Sequence, residues 1–158
     1  MTGTHEGPTN RTSVRRQIAA DPTSTALLLS APTAIDLWPG ARRVAQVEGR
    51  VVVEASLPGE SSAPERAAAC VRALPPKRTP TSYVTCFDWS GSGLPATRGE
   101  LTLAYSATPD GEVATEAVLV LESRGFEPSG LTAGQLEVMA RGFLSNLASA
   151  AELRSRAA

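Results

Sequence analysis

Histidine is nearly absent from this chain. His5 is the only one among 158 residues, and it lies in a polar leading segment. The body of the protein therefore cannot assemble a Ser–His–Asp or Cys–His arrangement, because each needs an imidazole base. A histidine-ligated haem, zinc or non-haem iron site is excluded there for the same reason. Cysteine is almost as scarce. Cys70 and Cys86 are the only two. Their separation fits neither a zinc nor a redox motif, so they read as small buried residues on strands. Lysine is limited to Lys77, and the arginines that carry the remaining positive charge are scattered through a chain of net charge −1. No block of like charges forms a footprint for nucleic acid or anionic lipid. No apolar run approaches the roughly eighteen residues of a membrane-spanning helix, and the opening residues lack the apolar segment of a secretory signal. These absences predict a cytoplasmic protein with no metal, no required cofactor, no nucleic-acid partner and no membrane partner.

What remains is an ordinary globular composition, 42% hydrophobic and 20% charged, at a length suited to one core. We expect a flexible polar tail over residues 1–12 and a single domain over 13–156. Ser13 to Ala19 reads as a strand. Asp21 then offers an N-cap carboxylate and Pro22 occupies the first helical position, where its missing N–H costs nothing. Pro32 starts a second short helix through Trp38, and Pro39-Gly40 stops it. From there the period changes. Arg43–Val47 and Arg50–Leu57 are β-branched-rich runs meeting at Glu48-Gly49, and the Gly59–Pro64 segment is a polar loop. Ala67–Leu74 is a further strand, and the prolines of Pro75–Pro80 predict a turn. Thr81–Trp89 alternates, with Tyr83, Thr85, Phe87 and Trp89 on one face. After Gly91-Ser92-Gly93, Arg98–Ser106 alternates again. Asp110-Gly111 predicts a type I′ hairpin leading into Glu112–Glu122. The chain closes with its longest helix, opened by a Thr132/Gln135 capping box with Leu131 and Leu136 as a hydrophobic staple. Its apolar stripe runs Leu136, Met139, Phe143, Leu147 and Ala150. This order predicts an α+β architecture: an antiparallel sheet of six to seven strands curled around the last helix, with space for a cavity between them.

The chain resembles the START-like, or SRPBCC, superfamily of helix-grip (Bet v 1-like) domains. The resemblance rests on Val14-Arg15-Arg16-Gln17-Ile18-Ala19-Ala20-Asp21-Pro22 at the start, Trp38-Pro39 after the two short helices and Gly49-Arg50-Val51-Val52-Val53. Tyr83-Val84-Thr85-Cys86-Phe87 and the helix from Leu131 add to it. That superfamily includes polyketide cyclases/dehydrases, lipid-transport-like carriers and coenzyme Q-binding proteins. The resemblance implies a pocket between sheet and helix that takes a small apolar or amphipathic ligand. A shared fold does not carry an activity with it.

On that reading the pocket would be lined by Trp38, Tyr83, Phe87, Trp89, Tyr105, Met139 and Phe143. The same aromatic residues also suit plain sheet core. Any catalysis would fall to Glu116, Tyr105 or Arg98. Glu116 sits in a strand beside Val118 and Val120. Burial there would raise its pKa and suit it to acid–base work, whereas its alternation with Glu122 suits the solvent side. Arg141 lies two positions from both Met139 and Phe143, off the apolar stripe. Three functions follow: a ligand-binding protein, a metal-independent cyclase/aromatase-like enzyme using Tyr, Arg or Glu, or an interaction module forming a homodimer through its sheet. Gly91-Ser92-Gly93-Leu94-Pro95-Ala96 matches a dinucleotide fingerprint in letters only, because Pro95 followed by a strand denies the helix that motif needs.

Overall fold

A computed structural model of the chain describes residues 9–29, 32–39, 41–47, 50–56, 66–73, 76–91, 94–124 and 133–157. Strand β1 (Thr9–Ile18) leads into helix α1 (Pro22–Leu29) and a 3₁₀ helix (Pro32–Leu37). Seven strands follow: β2 (Ala41–Val47), β3 (Arg50–Ser56), β4 (Arg66–Ala73), β5 (Lys77–Arg78), β6 (Ser82–Gly91), β7 (Leu94–Ala107) and β8 (Val113–Arg124). Helix α2 (Ala133–Ala157) ends the chain.

All the strands join one antiparallel sheet in the order β1-β8-β7-β6-β4-β3-β2, with β5 also paired to β6. The eighth strand, β5, falls in the stretch expected only to turn. Its two residues pair with Tyr83 and Val84, and Pro76 and Pro80 bracket it, which keeps it short. The first strand also opens earlier than expected. Thr9 to Thr12 belong to β1 because β8 continues to Arg124 and offers each of them a partner. The expected features at Glu48-Gly49, Gly59–Pro64, Ser92-Gly93, Leu131 and Thr132 lie outside the described residues, as does the proposed stop at Gly40.

The β7–β8 hairpin differs from the expected type I′ turn. The Gly111 N–H donates to the Thr108 carbonyl at 2.9 Å, closing a turn with Pro109 at its second position. The Thr108 N–H then donates to the Glu112 carbonyl at 2.9 Å, and Gly111 takes a φ of 84°. Pro109 has its φ locked negative, so it suits a type I turn followed by a left-handed glycine, and this lengthens the loop by one residue.

The sheet is amphipathic because its strands alternate. On β8, Thr115, Ala117, Leu119, Leu121 and Ser123 are buried, while Glu116, Val118, Val120 and Glu122 face the other way. In register with them on β7 lie Leu103, Leu101, Gly99 and Thr97, and on β1 Val14 and Ile18 share the buried side. Helix α2 covers this side. Its 25 residues span about 37 Å. Two adjacent rows of the helix are buried: Leu136, Ala140, Leu144 and Ala148, then Met139, Phe143, Leu147 and Ala151. The stripe is wider than the sequence predicted, and Ala150 lies only half-buried at its margin. Alanine at alternate steps lets the helix approach the sheet closely. It packs mainly on β1 and β8 and reaches β6 through Phe143, so the sheet wraps partway around it.

Asp21 caps α1 as expected. The Ser24 N–H donates to Asp21 Oδ2 at 3.2 Å. Hydrogen bonding from the Ser24 side chain, more than any other cause, holds the Asp21 carboxyl below its ordinary value. The corner is pinned further. Thr25 Oγ1 donates to the Asp21 carbonyl, the buried Thr115 hydroxyl donates to the Ala20 carbonyl at 2.7 Å, and the Ala19 N–H donates to Glu152 of α2. Asp21→Ala should cost about 0.5–2 kcal/mol in urea unfolding at neutral pH. A carboxylate with a depressed folded-state pKa stabilises above its unfolded pKa, and that contribution disappears as pH falls through the folded value. The difference between wild type and Asp21→Ala should therefore shrink below pH 3.8, the ordinary value. A gap that stays constant into acid would refute the cap.

Candidate functional site

Beyond the aliphatic layer, the interior is built around Trp38. The 3₁₀ helix delivers this indole across the sheet, and it is 6% exposed. It lies over the Phe143 ring with centroids 4.2 Å apart and planes 31° from parallel. It meets Phe87 and Trp89 edge-on, at 5.2 and 5.1 Å. Phe87 and Phe143 are 6.3 Å apart. Edge-to-face contacts at these separations place the electropositive ring edge on the electron-rich face, adding to the gain from burial. Two contacts hold the Trp38 segment against α2: Asn146 Nδ2 donates to the Leu37 carbonyl at 2.8 Å, and Pro39 packs on Gly142, where a Cβ would collide with its ring.

Phe87 can occupy this position only because its partner on β7 is Gly99. A Cβ there would overlap the Phe87 ring itself. Gly99 was not singled out from the sequence. An isolated glycine inside an alternating strand is the signal that would have found it.

Five of the expected lining residues therefore come together: Trp38, Phe87, Trp89, Met139 and Phe143 are all buried in one core. Tyr83 and Tyr105 lie apart from them, toward the α1 end of the sheet. Tyr83 is half-buried against the core and Tyr105 is 50% exposed. The hydroxyl of Thr23, on the first turn of α1, lies 3.0 Å from the Tyr83 hydroxyl and 3.4 Å from that of Tyr105. This hydroxyl cluster joins α1 to the sheet, and Thr23 carried no sequence signal.

The two charged candidates do not reach the interior. Glu116 is on the outer face, with a carboxylate oxygen 3.0 Å from Arg15. Arg98 is also on the outer face, 3.4 Å from Asp88, with its side chain 77% exposed. Alternation explains both corrections. Arg98 lies between the buried Thr97 and Gly99, and Glu116 between the buried Thr115 and Ala117. The strand expected to open at Arg98 in fact begins at Leu94, so Arg98 is mid-strand and not at a rim. Arg141 pairs with Glu137 at 2.8 Å on the solvent side of α2. Cys86 is a free, half-buried thiol on the outer phase of β6 and not a core residue.

Among the described residues, every buried polar side chain carries a hydroxyl: Thr25, Thr85, Thr97, Thr115 and Ser123. Thr97 and Ser123 are register partners on the inner face, their oxygens 3.5 Å apart, in the same cross-strand row as Trp89. Also among the described residues, no three His, Cys, Asp or Glu side chains gather as a metal site, and no helix is long and apolar enough to cross a membrane. The described interior thus combines aromatic faces with neutral hydrogen-bonding groups. That chemistry suits burial of rings and chains.

No protein-family model matches the chain, and no curated protein matches it. Solved structures do. The chain is similar to a conserved protein from Geobacillus kaustophilus, at 11% identity and TM-score 0.61, covering 90% of this chain and 93% of that one. It is similar to the Zhui aromatase/cyclase from Streptomyces sp. R1128, at 20% identity and TM-score 0.59, covering 95% and 98%. It is also similar to the ginseng major latex-like protein 151 from Panax ginseng, at 10% identity and TM-score 0.58, covering 92% and 99%. These likenesses run nearly end to end, and they show an α+β helix-grip fold.

Proposed function

We propose that this helix-grip chain binds a small apolar or amphipathic molecule between its sheet and α2. The observation that carries the reading is the buried cluster of Trp38, Phe87, Trp89 and Phe143. Its rings come from three separate parts of the fold and are bordered on the sheet by the hydroxyls of Thr85, Thr97 and Ser123. Apolar walls with a few neutral polar groups are the usual composition of a ligand site. The ligand would place its rings or chain against the aromatic faces and its polar end toward the hydroxyl row.

A cyclase-like enzyme is the second reading, favoured by the likeness to an aromatase/cyclase. The placement of Glu116 and Arg98 on the outer face weighs against it. Of the side chains put forward for catalysis, only Tyr105 keeps the inner phase of its strand, with Tyr83 beside it, and both hydroxyls are engaged with Thr23. Binding without turnover is the reading the geometry supports better.

The two tryptophans of the chain are both in the cluster, so tryptophan emission reports on the interior alone. Titration with an apolar fluorescent probe should quench that emission saturably, with energy transfer to the probe. Trp38→Phe, which keeps a ring, should weaken the probe by several-fold while the fold survives. Probe binding that leaves Trp38 and Trp89 emission unchanged would place the ligand elsewhere and defeat the proposal.

A further inference from the structure

The face of β6, β7, β8 and β1 turned away from α2 carries a patterned row of charge. Register aligns Asp88 with Arg98, Arg98 with Glu122, and Glu122 with Arg11. All four side chains point outward, because Trp89, Thr97 and Ser123 beside them are buried on the inside. Across these four strands the signs run minus, plus, minus, plus; β4 places Arg72 next in register with Asp88, but β1 is the edge of the sheet, so a second copy stacked on these four strands has no strand over Arg72. Next to this row lie Cys86, Glu100, Val120 and Ser13, then Val84, Thr102, Val118 and Arg15, where Glu100 and Arg15 are the charges and Cys86, Val120, Val84, Thr102 and Val118 are half-buried.

Lateral pairing alone gives this row little. Arg98 and Asp88 sit 3.4 Å apart with side chains 77% and 59% exposed, and so solvated a pair contributes almost nothing to stability. An even row of alternating charges has another property: turned end for end, it is its own complement. We propose that this sheet face binds a second copy of the chain, about a two-fold axis parallel to the strands and running between β7 and β8. That rotation lays Arg98 over Glu122 of the second copy and Asp88 over Arg11 of the second copy. Each contact occurs twice, as in any isologous interface. It also sets Val118 against Thr102 of the second copy. Glu100 faces Val120 of the second copy, and Arg15 faces Val84 of the second copy. Stacked sheets lie about 10 Å apart, a gap that Arg and Glu side chains bridge from opposite sides. The four-strand face covers roughly 600 Å² at ordinary strand spacing. That is below the roughly 800 Å² per partner of a standard interface, so the dimer is weak and concentration-dependent. The proposal is independent of whether the interior binds a ligand.

Sedimentation velocity of the full chain over a wide concentration range tests it. The wild type should pass from monomer to dimer, with association weakened by added salt. Arg98→Glu turns two symmetry-related attractions into repulsions and should weaken association about tenfold or more. Arg98→Glu combined with Glu122→Arg gives minus, minus, plus, plus, which is again its own complement. This double variant should dimerise with itself and pair more weakly with wild type, where two of the four contacts become repulsive. Glu100→Gln should tighten the dimer. Circular dichroism confirms that each variant is folded. A wild type that stays monomeric throughout, a dimer indifferent to Arg98→Glu, or a folded double variant that does not re-associate would each overturn the proposal.

Discussion

Phe143→Ala is expected to lower the free energy of unfolding by about 3–5 kcal/mol. The Phe143 ring is 2% exposed at the middle of α2 and stacks on Trp38. Its removal takes away the transfer free energy of a full aromatic side chain. It also opens a void that the surroundings cannot close, because Trp38, Phe87 and Trp89 are themselves held ring against ring. Set against the total stability of about 5–15 kcal/mol usual for folded domains, this single loss is a large share of the whole. Urea unfolding followed by far-UV circular dichroism measures it. Tryptophan emission should shift to the red in the same variant as water reaches Trp38. Arg141→Ala, two residues away and on the solvent side, should change stability by no more than about 0.5 kcal/mol. A loss below about 1 kcal/mol at Phe143 would mean that the aromatic cluster is not packed as described.

Gly99→Ala should cost about 1–3 kcal/mol, although glycine in a strand interior ordinarily loses to alanine by about 0.5–1 kcal/mol. The sign reverses because the added Cβ would fall on the Phe87 ring. That ring cannot swing away, with Trp38 on its edge and Phe143 beside it. The conflict is specific to one pair, so it has a specific remedy. Phe87→Leu shortens the side chain above Gly99, and the double variant should be more stable than the sum of the two single losses by about 1 kcal/mol or more. Coupling of that size is normal for residues in direct contact. Strict additivity in the cycle would show that the Phe87 ring does not lie over Gly99.

Much of the fold was legible in local pattern. The Asp21-Pro22 start of α1 follows from capping chemistry that needs only neighbouring residues. The alternation in β6, β7 and β8 and the helical stripe of α2 are periodicities visible along the chain. The hairpin at Asp110-Gly111 was half legible: the glycine has the positive φ, but Pro109 one step earlier chose the turn. For the candidate site, the residue types were legible and the positions were not. Trp38, Phe87, Trp89, Met139 and Phe143 read as interior side chains, whereas nothing local says that Trp38 should reach between β6 and α2.

The sequence by itself determined which residues share a face; only the tertiary structure decided which face is dry. On β8 the two phases are both partly apolar, one carrying Ala117, Leu119 and Leu121, the other Val118 and Val120 between Glu116 and Glu122. A period of two separates these sets without ranking them. The choice is made by α2, whose paired rows of large and small side chains cover one phase and leave the other to water. That choice moved Glu116 and Arg98 from candidate chemistry to the outer surface. It also put the Thr97 and Ser123 hydroxyls, which seemed unremarkable along the chain, into the interior. Burial is a property of the pair of surfaces that meet, and a strand read alone contains only one of them.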